Sequence, residues 1–94
     1  MISFITPVYN EEKFLPSLFN CIEKNYHDFE FEWIFIDDHS TDKSFEILTR
    51  FAENKKKITL IKNSGKGKIH AINSGFKIAK GNLIKLVGGD DEID

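Results

Sequence analysis

Four carboxylates close the chain, Asp90, Asp91, Glu92 and Asp94, the first two directly after Gly88-Gly89. A di-glycine lets the backbone turn tightly, and aspartates are hard oxygen ligands. A divalent cation held together with a diphosphate is the natural occupant, because Mg²⁺ prefers one or two carboxylates plus substrate phosphates. The plain alternative is a pair of solvated carboxylates in a turn. Asp37-Asp38 form a second acidic pair. They are suited to accept hydrogen bonds from a base or a ribose, or to complement the positive start of a following helix. Lys66 and Lys68 stand in Gly65-Lys66-Gly67-Lys68, a segment that suits an anion where a helix opens. It is not a Walker loop, since the spacing and the Lys-Ser/Thr pair are absent, and no GxGxxG fingerprint occurs. Tyr9 can stack on a base or simply pack. His27, His39 and His70 have no metal-ligand spacing, and the last two read as structural groups. No Ser/His/Asp or Cys/His arrangement is legible, so nucleophilic catalysis has no support.

These residues need a scaffold, and the hydrophobic pattern supplies one. Ile2–Thr6 reads as a buried strand closed by Pro7. Asn10-Glu11-Glu12 offers capping and first-turn acids for a helix from Phe14 to Asn25. Phe14, Leu15, Leu18, Phe19 and Ile22 form its apolar stripe, and Pro16 is tolerable only in the first turn. Phe31–Ile36 is the second strand. Ser40 or Thr41 caps the next helix, with Asp42 in its first turn and Phe45, Leu48, Phe51 and Ala52 as its stripe. Ile58–Ile61 is a third strand, and Asn63-Ser64-Gly65-Lys66-Gly67 is a loop on composition. Ile69, Ile72, Phe76 and Ala79 make a third helical stripe, with Gly81 just past its end. Leu83–Val87 is the fourth strand. The order β-α-β-α-β-α-β, with near-continuous apolar strands, implies an α/β fold: a doubly wound, Rossmann-like parallel sheet covered on both faces. In such sheets ligands sit outside the carboxyl ends of the strands. All four acidic, lysine-bearing or aromatic segments fall on that one edge.

Ninety-four residues allow a single small domain. A net charge of −2 argues against a nucleic-acid binder. The single cysteine, Cys21, excludes an internal disulfide and a Cys-rich zinc site. No apolar run approaches the roughly 20 residues that span a bilayer, and the start lacks the basic region of a signal peptide. Charge is segregated. Residues 1–54 carry eleven acids and four basic residues, whereas Lys55 to Lys85 holds nine lysines and no acid. That stretch is either a solvated face or a side that meets phosphates or an anionic membrane surface.

Five segments in order carry a resemblance. They are Ile5-Thr6-Pro7-Val8-Tyr9-Asn10-Glu11-Glu12, Phe35-Ile36-Asp37-Asp38-His39-Ser40-Thr41-Asp42, Gly67-Lys68 through Ala71 and Asn73 to Gly75, Ala79-Lys80-Gly81, and Gly89-Asp90-Asp91. Together they resemble the family 2 glycosyltransferases of the GT-A fold, over essentially the whole chain. The resemblance implies the N-terminal half of a GT-A domain, with inverting transfer of a sugar from a nucleotide-sugar, a UDP-sugar foremost, to a glycan or lipid-linked acceptor. It implies that Pro7, Val8, Tyr9 and Asp38 hold the base, that Lys68 lies near the nucleotide, and that Mg²⁺ or Mn²⁺ assists. Asp90 matches the second acid of the family's Asp-x-Asp motif and Asp91 the acid that often follows. The first acid falls on Gly88, so Asp90 is expected to share the nucleotide contact and Asp91 to serve the metal, with Asp90 also a metal ligand.

The family's domain is roughly twice this long, and its second half supplies the general base. Residues 1–94 are therefore expected to be the nucleotide-sugar-binding part alone, truncated after the Asp-Asp motif, binding donor without turning it over. Uncovered apolar faces on four strands lead us to expect self-association as a dimer. A cytoplasmic location at the inner face of a membrane, with peripheral association, is the expected setting. Two other readings compete. One is a small receiver-like signalling module with Asp37-Asp38 as its acidic pocket. The other is a Mg²⁺-dependent phosphoryl-transfer fragment, disfavoured because no phosphate-cradling loop is readable.

Overall fold

The computed structural model describes residues 1–88. Its elements run β1 (Ile2–Val8), α1 (Leu15–Lys24), β2 (Phe31–Asp37), α2 (Ser44–Ala52), β3 (Ile58–Lys62), α3 (Lys68–Ile78) and β4 (Leu83–Leu86). The four strands form one sheet in the order β3-β2-β1-β4, every pair parallel. The chain steps outward from β1 to β3, then crosses back over β1 to lay down β4. Right-handed crossovers accordingly put α1 and α2 on one face and α3 on the other.

Strand parity divides the core. Phe31, Trp33 and Phe35 of β2 point to the first face, with Val8 of β1, and pack with Leu15, Leu18 and Ile22 of α1 and Leu48 and Phe51 of α2. This core is aromatic. Phe4 stacks on Trp33 at 4.3 Å and Phe19 on Phe51 at 3.9 Å between ring centroids. The buried Trp33 indole N–H donates to Thr6 Oγ1 at 2.9 Å, satisfying the one polar atom that the ring brings inside. Ile5, Ile34 and Ile36 point the other way, toward Ala71 of α3.

The expected stripe on α3 is not the buried one. Ile69 is 75% exposed and Phe76 46% exposed, while Ala71 and Gly75 face the sheet. The reason is distance. A Cβ on Gly75 would stand 2.7 Å from Ile5 Cγ2 and 3.1 Å from Ile36 Cδ1, so the helix lies too close to the sheet for anything larger. Gly81 likewise serves close approach rather than a helix end, because a Cβ there would lie 2.6 Å from the Met1 carbonyl and from Ser3 Oγ. Below α3 the second face is closed by polar groups. The Glu32 carboxylate accepts from Ser3 Oγ and from the Lys80 N–H, both at 2.5 Å, and the Gly81 N–H donates to Ser3 Oγ at 2.8 Å.

Pro7 does not close β1. The strand continues to Val8, with Pro7 paired opposite Ile36. In a parallel ladder a residue turns its N–H and C=O to the same neighbour, and successive residues alternate. The Val8 carbonyl accepts from Asp38 on the β2 side and the Ile5 carbonyl from Val87 on the β4 side. Pro7 shares Ile5's parity, so its missing N–H faces β4, whose last paired residue is Leu86, opposite Ile5. No ladder bond is lost.

The expected caps also move. Neither α1 nor α2 has a side-chain cap, and α1 has no acid in its first turn. The α2 helix starts at Ser44 rather than beside Thr41, and Asp42 precedes it, its Oδ1 accepting from the Ser44 N–H at 2.9 Å.

Candidate functional site

The ends of β1 and β2, the start of α3 and Gly88 after β4 surround a cavity of about 140 Å³. It is lined by Pro7, Val8, Tyr9, Glu11, Asp38, Lys68 and Gly88. Five residues read from the sequence as nucleotide-binding, Pro7, Val8, Tyr9, Asp38 and Lys68, are thus brought to one cavity from three separate strand ends. Tyr9 lines this cavity and is 56% exposed. Glu11 was not foreseen as a lining residue; its place two positions beyond Tyr9 on the same connection was the available signal. Asp90 and Asp91, expected as nucleotide and metal ligands, lie outside the described residues. Among the described residues no group of three or more His, Cys, Asp or Glu side chains stands ready to hold a metal.

Asp38 is held before any ligand arrives. Its Oδ1 accepts from Asn63 Nδ2 at 3.0 Å and from the Gly67 N–H at 3.1 Å, and its Oδ2 takes a longer share of the same N–H at 3.2 Å. The bonded loop is shaped by one backbone angle and two further contacts. Gly67 has φ +96, a conformation open to glycine. The His70 ring lies directly over Gly65, where a Cβ would stand 2.5 Å from it. His39 Nε2 meets the Gly65 carbonyl at 2.7 Å, so that nitrogen carries the proton. Both histidines therefore grip the glycine loop, in line with their structural reading. Asp37 turns the other way, buried, with Oδ2 accepting from the Ser40 N–H at 3.1 Å.

The most recognisable polar residues of the two neighbouring connections bind each other. Asn10, at φ +52, takes the Thr41 N–H on Oδ1 at 2.7 Å and the Asp42 N–H at 3.2 Å, while its own N–H donates to Ser40 Oγ at 3.0 Å. The Glu11 N–H donates to the buried Ser44 Oγ at 2.8 Å, the Glu12 N–H to Asp42 Oδ2 at 3.2 Å, and the Lys43 N–H to Glu12 Oε1 at 3.2 Å. This stitch fixes the β1–α1 connection, and hence Tyr9, against the β2–α2 connection that carries Asp38. Burial alone would push the Asp42 carboxyl up, but the bonds it accepts from Ser44 and from the Glu12 N–H outweigh that and hold it below its ordinary value.

Comparison with known proteins gives a consistent result. Residues 3–94 match the family model of glycosyl transferase family 2. The undecaprenyl-phosphate 4-deoxy-4-formamido-L-arabinose transferase of Photorhabdus laumondii is 36% identical over 96 residues, covering 95% of this chain and 29% of its own length. The crystal structure of Staphylococcus aureus TarS 1–349 in complex with UDP-GlcNAc superposes with a TM-score of 0.75 at 32% identity, over 95% of this chain and 26% of that one. The mannosyltransferase of Pyrobaculum calidifontis in complex with GDP-Man and Mn²⁺ does so with a TM-score of 0.79 at 27% identity, over 95% of this chain and 27% of that one. The chain spans between 16% and 37% of the length of such curated relatives.

Proposed function

The chain belongs to glycosyl transferase family 2, with the parallel sheet of the GT-A fold, and we propose that residues 1–94 form the donor-binding part of an inverting glycosyltransferase that uses a nucleotide-sugar, a UDP-sugar foremost. The observation that carries this reading is the meeting of Pro7, Val8, Tyr9, Asp38 and Lys68 around one cavity at the carboxyl edge of the sheet. Tyr9 offers its ring to the base. Asp38, already oriented by Asn63 and Gly67, accepts a hydrogen bond from base or ribose. Lys68 opens α3, where its charge and the helix N-terminus both favour the diphosphate. Gly88 lines the cavity two positions before Asp90, which supports Asp90 and Asp91 as ligands of Mg²⁺ or Mn²⁺ and Asp90 as a nucleotide contact. Held there, such a cation would supply positive charge to offset that of the diphosphate.

The acceptor is read as a glycan or a lipid-linked group, and the general base as a residue beyond this sequence. Sugar transfer by these 94 residues alone is therefore not expected. The family match sets aside the signalling-module and phosphoryl-transfer readings. No described helix is long and apolar enough to cross a membrane; the lysine-rich stretch supports peripheral contact with the inner, cytoplasmic face of one. Exposed Ile69, Phe76, Leu83 and Leu86 support self-association of this chain as a dimer.

Calorimetric titration of UDP and UDP-GlcNAc, with Mn²⁺ and with EDTA, tests the donor site. Binding of order 10⁻⁴ M, about −5.5 kcal/mol, is expected with Mn²⁺. Equal affinity in EDTA would remove the metal role of Asp90 and Asp91, and no saturation in either condition would remove the donor site itself.

A further inference from the structure

Asn63, the first residue after β3, is 2% exposed, and every hydrogen-bonding position of its amide is filled. Nδ2 donates to Asp38 Oδ1 at 3.0 Å and to the Gly67 carbonyl at 3.2 Å. Oδ1 accepts from the Gly65 N–H at 3.3 Å and meets His70 Nδ1 at 2.6 Å. The Gly65 N–H fixes which end of the amide is oxygen, and that oxygen requires the proton to sit on His70 Nδ1. One buried side chain therefore joins the last residue before the glycine loop, the loop itself, the first turn of α3 and the carboxylate of Asp38.

We propose that Asn63 is a positioning residue for the donor site. It holds the Asp38 carboxylate by Oδ1, so that Oδ2, which carries only the longer share of the Gly67 N–H, keeps acceptor capacity for the ligand. A carboxylate attached to a strand end by one χ1 bond would otherwise rotate freely among its staggered positions. The chain from His70 through Asn63 to Asp38 removes that freedom before the ligand binds, and each link polarises the next. The proposal rests on the donor-site reading above, with Asp38 as the ligand-facing acceptor.

A double-mutant cycle isolates the role, since a residue acting only through Asp38 has nothing further to lose once Asp38 is gone. UDP is titrated, with Mn²⁺ present, into the chain and into its Asn63→Ala, Asp38→Ala and doubly substituted forms. Asn63→Ala is expected to raise the Kd about five- to tenfold alone, and less than about twofold in the Asp38→Ala background. The same factor in both backgrounds would overturn the proposal. Asn63→Asp keeps the shape but turns the donor aimed at Asp38 into a second acceptor. It is expected to weaken UDP at least as much, and wild-type affinity in that variant would also overturn the proposal.

A ligand-free measurement separates this proposal from the donor reading. Amide hydrogen exchange at Gly67, whose N–H is held by Asp38, should accelerate in Asn63→Ala, while the Asp38 N–H on the Val8 carbonyl stays protected. Unchanged Gly67 protection would sink the positioning role whatever UDP does. Failure of the unsubstituted chain to bind UDP would overturn the donor site and this proposal with it, whereas bound UDP with unchanged Gly67 exchange in Asn63→Ala would overturn the positioning role alone.

Discussion

The two faces of the sheet solve the same burial problem in opposite ways. On the α1/α2 face two helices stand off and the gap is filled by rings, with Phe4, Trp33 and Phe35 layered along the strands. On the α3 face one helix lies almost on the strands, and Ala71 and Gly75 leave room for Ile5, Ile34 and Ile36. The first arrangement draws its stability from apolar area and ring geometry. The second has less area to bury and depends on proximity, with Glu32 and Ser3 replacing apolar contact at its lower end. The thin face also carries the loop that holds Asp38 and Lys68. The protein keeps its bulk on one side and its ligand-facing polar groups beside the other.

If that division holds, Phe35→Ala should have the largest effect. The residue is fully buried in the aromatic face, and its loss should cost about 3–5 kcal/mol in urea unfolding. A cost near 1 kcal/mol would mean that the aromatic face is not the main source of stability. Gly75→Ala tests the thin face in the opposite sense, by adding a carbon. Helix propensity favours alanine by about 1 kcal/mol, but overpacking against Ile5 costs about 1–3 kcal/mol. Because Ile5 Cγ2 belongs to a fully buried, β-branched side chain that cannot easily yield, we expect net destabilisation. A stabilised Gly75→Ala chain would show that α3 has space to retreat.

The stitch between the two connections is expected to respond to acid. Asp42 has a lowered pKa in the folded chain, so it adds stability above its unfolded value of 3.8 and loses it as pH falls through the lower folded value. Melting temperature should therefore fall with a contribution from Asp42 only below about pH 3.8, and Asp42→Asn should flatten that limb. An unchanged acid limb in the variant would assign the sensitivity elsewhere. Smallest in stability, within about 0.5 kcal/mol, should be Phe76→Ser on the outer side of α3. Its effect should appear in light scattering instead, as a shift from dimer toward monomer. A chain that is monomeric before the substitution would end the self-association proposal.

What could be read in advance follows the same division. The α1 stripe and the aromatic alternation of β2 are strong periodic signals because the thick face is made of large residues. The α3 stripe misleads because hydrophobicity ranks Ile69 and Phe76 above Ala71 and Gly75, whereas a helix in near contact with a sheet is selected for smallness. Ser40 and Thr41 look like caps because capping residues are the same types that bond across loops, and only the fold brings Asn10 to them. At the site, the shared edge of Pro7, Val8, Tyr9, Asp38 and Lys68 was legible because strand ends of a parallel sheet converge, while their nucleotide roles were implied by the family resemblance. Asn63 was not, since an asparagine before Ser-Gly-Lys-Gly has the composition of any turn, and its four bonds exist only in three dimensions.

Pro7 has a consequence for the shape of the crevice. Strand pairing behaves like a zipper that runs until a tooth is missing, and on the β4 side the missing tooth is the amide hydrogen of Pro7. Among the described residues the β1–β4 ladder ends at Ile5 and Leu86, just where the cavity opens, and Pro7 offers no N–H to extend it. That limit on pairing is written into covalent structure, and it does not have to be maintained by a contact that could loosen.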